Sequence, residues 1–171
     1  MLRAIEESDL EAMRGWRNSP GLRKYFRQYK DLTPYDQARW YEDLVTSQSK
    51  YFFAIWYDHN MVGCCGLDVN WHNRNGELSL FIGDPKIGGV PCYIDNTSAP
   101  AALKDLLVYA FDTLGLHRVW AELFDYDDKK SALLKDNKFK PEATHKETYF
   151  KLGEWVDSIY YSLLESEWRS A

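Results

Sequence analysis

The sequence has no run of Lys and Arg, and its balance of charge is acidic. It contains 21 Lys and Arg against 26 Asp and Glu, which gives a formal net charge of −5 at pH 7. Proteins that bind duplex DNA or RNA do so largely through clustered basic side chains that contact phosphates. The charge pattern therefore disfavours nucleic acid as a partner.

Cysteine is scarce, and long apolar runs are missing. Cys64, Cys65 and Cys92 fit neither a disulfide framework nor a spaced set of metal ligands. We interpret them as small buried side chains and a loop thiol in a reducing compartment. No apolar run reaches the roughly 20 residues that a membrane helix needs, and the N-terminus lacks the apolar core of a signal peptide. These absences predict a cytoplasmic protein with no metal site and no membrane contact.

The 171 residues are enough for one compact domain with a sizeable core, so we predict a single domain over residues 1–171. In the segment Ala101–Leu114 apolar residues recur at spacings of three and four, which is typical of a helix with one buried face. The segments Glu77–Ile82 before it and Leu116–Phe124 after it have strand composition. These three elements predict a β-α-β unit whose helix N-terminus can receive an anion, such as the phosphate of a cofactor.

The remaining elements fall on both sides of this unit. We predict strands at Leu2–Ala4, Tyr51–Tyr57, Met61–Leu67, Thr144–Lys151 and Trp155–Leu164, a helix opened by a capping box at Ser8–Glu11, a helix that begins at Thr33 and Pro34, and a short helix before Phe139. This order of elements indicates an α+β fold with a mixed sheet.

Five short motifs occur in order along the chain: WRNSP at 16–20, VGCCGL at 62–67, NRNGEL at 73–78, LGLHRV at 114–119, and the ending from 157 to 168. Together they resemble the GCN5-related N-acetyltransferase (GNAT) superfamily, and locally its RimJ/RimL-like branch. The resemblance implies an α/β/α layered fold. Its mixed, mostly antiparallel sheet splays open between the fourth and fifth strands, here Glu77–Gly83 and Leu116–Phe124. It also implies transfer of an acetyl group from acetyl-CoA to an amine.

The same resemblance implies where the cofactor binds. The backbone of Phe81, Ile82 and Gly83 would align the pantetheine arm, and the loop into the central helix would bind the diphosphate. The full set of implied cofactor residues adds Asn96, Thr97, Ser98, Ala99, Ala101 and Ala102 around that loop, and Asp127 and Lys130 after the fifth strand.

The diphosphate loop departs from the family pattern, because among its motif positions only Ala99 fits and Asp95 adds a negative charge. Two alternatives stay open. In the first, the Thr97 and Ser98 hydroxyls and the helix N-terminus bind a diphosphate in a modified pocket. In the second, the site has changed or lost its ligand, which leaves a non-catalytic binding protein.

Acetyl transfer needs a base that removes a proton from the ammonium group, and an acid or a solvated exit for the thiolate. Glu77 is the first candidate base; its alternative role is a strand-end carboxylate paired with Arg74. Asp68, His72 and Glu122 are weaker candidates. The usual tyrosine acid of the family falls on Leu134, so Tyr126 and Ser131 are the candidate substitutes, with a structural or capping role as the alternative for each.

Aromatic residues are abundant, at 16% of the chain, and some of them could form an acceptor pocket. The predicted substrate-binding residues are Trp16, Tyr29, Trp40, Asp68, Trp71 and Tyr149. The acceptor class stays open between a small-molecule amine, an amino sugar and a peptide N-terminus, with the first two ahead. An exposed strand or aromatic surface would also support a homodimer.

Overall fold

The structure is a computed structural model that describes residues 1–83, 93–95 and 97–170. Within these residues the strands are Leu2–Ala4 (β1), Lys50–Tyr57 (β2), Asn60–Asn70 (β3), Asn75–Ile82 (β4), Arg118–Phe124 (β5), Lys140–Lys151 (β6) and Glu154–Leu164 (β7). The α-helices are Leu10–Asn18 (α1), Pro20–Arg23 (α2), Pro34–Thr46 (α3), Ser98–Val108 (α4), Asp128–Asp136 (α5) and Glu165–Arg169 (α6).

The strands form one seven-stranded sheet in the order β1-β2-β3-β4-β5-β7-β6. Only β4 and β5 are parallel neighbours, and they pair over no more than Asn75–Glu77 and Arg118–Trp120. All other neighbours are antiparallel. The predicted mixed, mostly antiparallel sheet that splays between its fourth and fifth strands is therefore confirmed.

Helix α4 supplies the centre of the core. The side chains that its stripe buries completely or almost completely are Ala102, Leu103, Leu106, Leu107, Ala110 and Phe111. Burial of each large apolar side chain contributes about 1.5–3 kcal/mol. The helix begins at Ser98, three residues before the predicted start, and its last turn, Tyr109–Thr113, widens into a π-helix.

The N-terminal capping box differs from the prediction. The Asp9 carboxylate accepts the Glu6 backbone N–H at 2.9 Å and the Arg3 guanidinium at 2.7 Å. This contact draws residues Glu7–Asp9 into a 3₁₀ turn ahead of α1. Glu11, which the predicted box required, pairs instead with Arg14.

Two strands are longer than predicted: β3 continues to Asn70 instead of ending at Leu67, and β6 of the closing hairpin begins at Lys140 instead of Thr144. Cys64 and Cys65 are buried free thiols, and Cys92 lies outside the described residues. Among the residues that the structure describes, no helix is both long enough and apolar enough to cross a membrane.

Candidate active site

A cavity of about 280 Å³ lies where β4 and β5 part. Charged side chains of both signs line it: the carboxylates are Asp36, Asp68, Glu77, Glu122 and Asp127, and the cations are Arg17, Arg27 and Lys130. Carboxylates outnumber cations, so the cavity favours a ligand that carries positive charge.

The strand register explains why three of these carboxylates meet. Asp68 of β3 is the direct neighbour of Glu77 of β4. Glu77 in turn faces Trp120, the last residue of β5 that pairs with β4. Glu122 lies two residues further along β5, and side chains two apart on a strand share a face. Three adjacent strands therefore bring Asp68, Glu77 and Glu122 to one end of the cavity.

Arg27 bridges the two parting strands. Its Nη1 donates to Glu122 Oε2 at 2.9 Å, and its Nη2 donates to Glu77 Oε1. Burial alone would lower the pKa of Arg27, but the two carboxylates outweigh it and raise that pKa. Arg27 is therefore the ion-pair partner of Glu77; the predicted partner, Arg74, donates instead to the Gly115 carbonyl.

Glu122 is the most deeply buried carboxylate of the three, with only 4% of its side chain exposed. Its Oε2 accepts from Arg27 and, at 3.3 Å, from the Tyr149 hydroxyl. Its Oε1 is buried and has no hydrogen-bond partner of normal geometry in the described part of the chain, although the Tyr160 hydroxyl lies close enough to the carboxylate for the interaction to raise the pKa of Tyr160. A buried polar atom left unpaired costs about 1–3 kcal/mol, so this oxygen is prepared to accept a hydrogen bond from a ligand.

The wall beside these carboxylates is partly apolar. Trp40 of α3 meets Phe52 of β2 edge-to-face, with ring centroids 5.5 Å apart, and both rings line the cavity. Asp68 is exposed at the rim beside them, and partial desolvation raises its pKa although Lys50 opposes the shift. Of the predicted substrate-binding residues, Trp40 and Asp68 lie on this wall, and Tyr149 touches it through Glu122.

The cavity is also lined by Tyr93, Asp127 and Lys130. Lys130 Nζ donates to the Tyr93 hydroxyl at 3.2 Å, and the Asp127 carboxylate accepts the Lys130 backbone N–H at 3.2 Å, which caps α5. Burial lowers the pKa of Lys130 to about 8 and raises that of Asp127. Lys130 is therefore a cation that readily gives up a proton near neutral pH.

The predicted diphosphate donors at the start of α4 are bonded to Asp95. Its carboxylate accepts the Ser98 hydroxyl at 2.5 Å and the Ala99 backbone N–H at 2.7 Å. Thr97 and Ala101 are exposed, whereas Ala102 is fully buried in the core. Asn96, also predicted to bind cofactor, lies outside the described residues. A phosphate could reach the Ser98 and Ala99 donors only after Asp95 had moved.

The backbone N–H groups at the end of β4 are also already hydrogen-bonded within the chain. The Ile82 N–H, predicted to align pantetheine, donates to the Tyr93 carbonyl at 2.9 Å, and the Gly83 N–H donates to the Val62 carbonyl at 2.8 Å. Phe81 lines the cavity with its ring. Other parts of the chain therefore already use the backbone donors that were predicted to align pantetheine.

Besides Tyr149, five of the predicted catalytic and substrate-binding residues do not line the cavity. The Tyr126 hydroxyl donates to the Lys24 carbonyl at 2.5 Å, and Ser131 shares a hydrogen bond of 2.8 Å with the Tyr161 hydroxyl. Trp16 packs on Gly83, where an added Cβ would lie 2.0 Å from the indole.

The other two are at the surface. Tyr29 is 61% exposed and lies under the Lys151 ammonium group, 4.2 Å from the ring centroid. Trp71 donates from its indole to the Gln48 carbonyl at 2.8 Å.

Sequence reasoning singled out neither Arg27 nor Tyr93 as a site residue, and it ranked Glu122 low. Arg27 and Tyr93 belong to irregular segments, where no periodicity reports which way a side chain points. A signal for Glu122 did exist, because its place in the strand Leu116–Phe124 puts it on the face shared with Trp120 and Phe124.

A sheet that opens between parallel central strands over a polar cavity, with a core helix between those strands in sequence, is the architecture of an acetyltransferase fold. The family model described as acetyltransferase (GNAT) domain matches residues 2–160. The chain therefore belongs to the GNAT acetyltransferase family and is an acyltransferase. This confirms the family resemblance found in the sequence.

Curated relatives and solved structures agree with this assignment. The acetyltransferase PseH of Campylobacter jejuni is 24% identical over 136 residues, which cover 79% of each chain. The uncharacterized N-acetyltransferase p20 of Bacillus licheniformis is 20% identical, over 98% of this chain and 93% of its own. Spermidine N-acetyltransferase from Vibrio cholerae, solved with CoA and spermine, superimposes with a TM-score of 0.87 at 21% identity, covering 98% of this chain and 96% of that one.

Proposed function

We propose that this acyltransferase moves an acetyl group from acetyl-CoA to a primary amine of a small, positively charged molecule. The observation that carries the proposal is the unpaired, buried Oε1 of Glu122 in a cavity where carboxylates outnumber cations. An ammonium group supplies the hydrogen-bond donor and the charge that this site lacks.

The comparisons favour the same acceptor class. The V. cholerae enzyme with this fold acts on spermidine and was solved with spermine, and polyamines are small and multiply charged. An amino sugar or a peptide N-terminus, the other predicted acceptors, offers a single ammonium group and would leave more of the carboxylates unmatched.

Glu122 is the residue to which we assign the proton of the acceptor. The amine must lose a proton before it can attack a thioester. Glu122 Oε1 is free to take that proton, directly or through water, whereas the Oε1 of Glu77 is already bound to Arg27. Glu77, the base predicted from the sequence, remains the alternative base. In the structure it is the ion-pair partner of Arg27.

The departing thiolate requires a proton donor or a solvated exit. Lys130 and Tyr93 line the cleft and carry N–H and O–H donors. We therefore place this role at Lys130, and keep as alternatives Tyr126 and Ser131, the candidates from the sequence, whose hydroxyls point to other partners.

Acetyl-CoA, when bound, supplies the thioester. The groups that would hold it are the β4 backbone at Phe81, Ile82 and Gly83, the start of α4 from Thr97 to Ala102, and Asp127 with Lys130. The competing bonds of residues 93–95 support the alternative function, a GNAT-fold protein that binds a ligand without catalysis.

Oligomeric state is a further proposal. Strand β6 lies at the edge of the sheet and is mostly exposed, and a V. cholerae spermidine N-acetyltransferase of this fold is dodecameric. Both features support a homodimer or a larger assembly of this chain.

The test is CoA release from acetyl-CoA with four acceptors: 1,3-diaminopropane, propylamine, glucosamine and a tripeptide. We expect the highest kcat/KM with the diamine, and a fall of about 10²–10⁴-fold in Glu122→Gln, the range that general-base catalysis contributes. Glu165→Gln is the matched control, because it removes a carboxylate of α6 that does not line the cavity. This variant should keep wild-type rates.

Turnover of the diamine by Glu122→Gln at the wild-type rate would remove Glu122 from the mechanism. CoA binding without acetyl transfer to any acceptor would favour the non-catalytic alternative.

A further inference from the structure

Arg27 occupies a site that is built for a cation. The carboxylates of Glu77 and Glu122 approach it from two strands that no longer pair with each other. Glu122 itself gives a further sign of a ligand, because only 4% of its side chain is exposed and its second oxygen has no hydrogen-bond partner in the described residues.

The backbone around Arg27 is held in place on both sides. Lys151 Nζ donates to the carbonyls of Phe26 and Gln28 at 2.7 and 3.0 Å. The Phe26 ring packs edge-to-face on Phe81, with centroids 5.2 Å apart. The loop between α2 and α3 is therefore anchored, whichever way the Arg27 side chain points.

The Arg27 side chain itself is 51% exposed. Water already reaches half of it, so the guanidinium can turn outward and regain its hydration while the anchored backbone stays in place. Its attachment is largely electrostatic: its two ion pairs in the cavity are to carboxylates, with the Tyr149 hydroxyl as a further neighbour. Another cation of suitable size could make the same ion pairs.

A third carboxylate lies next to this pair. Asp68 faces Glu77 across the β3–β4 ladder, and the nearby Lys50 pairs with Asp43 of α3. With Arg27 in place, one positive charge lies between Glu77 and Glu122, and Asp68 has no ion-pair partner in the described residues. Displacement of Arg27 by one ammonium group, together with a second ammonium group at Asp68, would place two positive charges among the three carboxylates instead of one.

We propose that the Glu77–Glu122 pair is a cation subsite that Arg27 fills in the free protein and yields to one ammonium group of a substrate that carries two. This inference rests on the proposed function, since it assigns the substrate class of the same cavity. Arg27 is then a specificity-determining residue: a diammonium substrate offsets the loss of the Arg27 contacts with its second charge, and a monoammonium substrate does not.

The test is a calorimetric titration in which the diamine 1,3-diaminopropane is added to the free protein, without acetyl-CoA, for wild type and Arg27→Gln. The variant removes the internal competitor, so we expect its diamine affinity to rise about tenfold or more. The neutral analogue 1,3-propanediol should bind no better than to wild type. Arg169→Gln removes an equal charge from α6 and should leave the diamine affinity unchanged.

If Arg27 has a purely structural role, the Arg27→Gln variant should not bind the diamine more tightly than the wild type. Unchanged or weaker diamine binding by a folded Arg27→Gln protein, judged by its thermal transition, would overturn the inference. If that variant does not fold, Arg27→Lys carries the test, because lysine keeps the charge but cannot bridge both carboxylates with one planar group. Diamine binding tighter than wild type supports the proposal, and equal or weaker binding refutes it.

Failure of the proposed function would look different. Absence of acetyl transfer together with tighter diamine binding by Arg27→Gln would leave the cation subsite standing and remove the enzyme activity. Acetyl transfer together with unchanged binding would leave the activity standing and remove the role of Arg27.

Discussion

Burial of Lys130 makes the stability of the folded protein depend on pH. Its side chain is buried beside Tyr93 and Asp127, and burial lowers its pKa from 10.5 to about 8. Below pH 8 the lysine is charged in both the folded and the unfolded chain, and the folded state bears the full cost of burying that charge. Between pH 8 and 10.5 only the unfolded chain still binds the proton, so stability rises with pH across this window.

We therefore predict that Lys130→Met removes this pH dependence. The free energy of unfolding of the wild type, minus that of the variant, should increase as pH rises from 7 to 10, by about 3 kcal/mol at most. Urea unfolding at four pH values measures it. Cys64 and Cys65, whose thiol pKa values burial raises, destabilise both proteins equally at high pH and cancel in the difference. Parallel profiles for the two proteins would contradict the prediction.

At the scale of an element, the N-terminus of α4 is capped by the side chain of Asp95. Asp95 accepts from Ser98 and Ala99, and a carboxylate at a helix N-terminus is stabilised by the helix dipole. A diphosphate is stabilised at the same place for the same reason. A diphosphate bound here, as proposed, would therefore compete with Asp95 for one set of donors.

We predict that Asp95→Asn binds CoA about fivefold more tightly or better, because asparagine retains the cap but lacks the competing charge. Calorimetry should show this gain for CoA and none for pantetheine, which has no diphosphate. Asp105→Asn, on the exposed side of the same helix, controls for the change in total charge. Weaker CoA binding by Asp95→Asn would instead make Asp95 part of the cofactor site.

The regular elements at this scale could be predicted because their periodicity is physical. The stripe from Leu103 to Phe111 has the repeat of a helix with one buried side, and the alternation in β4 places Glu77 on the face opposite Leu78, as observed. The start of α4 was misplaced because Asp95 caps the helix from three residues before Ser98, with Pro100 inside the first turn.

The candidate site was only partly predictable. Its position between β4 and β5 followed from the family resemblance, and Glu77, Asp68, Asp127 and Lys130 do line one cavity. Arg27 was not predictable, because it reaches Glu122 over 95 positions of sequence from a segment without a repeat. Contacts of this kind depend on the folded path of an irregular loop, which local patterns do not encode.

At the scale of the whole molecule, the net charge of −5 and the carboxylates of the cavity act in the same direction. Together they attract a cationic acceptor and repel anionic CoA over distances of a Debye length, which is about 10 Å at 0.1 M salt and 3 Å at 1 M. Added salt should therefore change KM for the two substrates of the proposed reaction in opposite directions.

We predict that raising the salt concentration from 0.05 to 0.5 M, about a threefold decrease in screening length, increases KM for the diamine several-fold and decreases KM for acetyl-CoA. The reason is that screening weakens attraction and repulsion alike, while kcat, set within the bound complex, changes little. Initial rates at fixed pH with each substrate varied in turn provide the measurement. A parallel increase for both substrates would indicate a general salt effect, and the cavity charge would then have no part in choosing the acceptor.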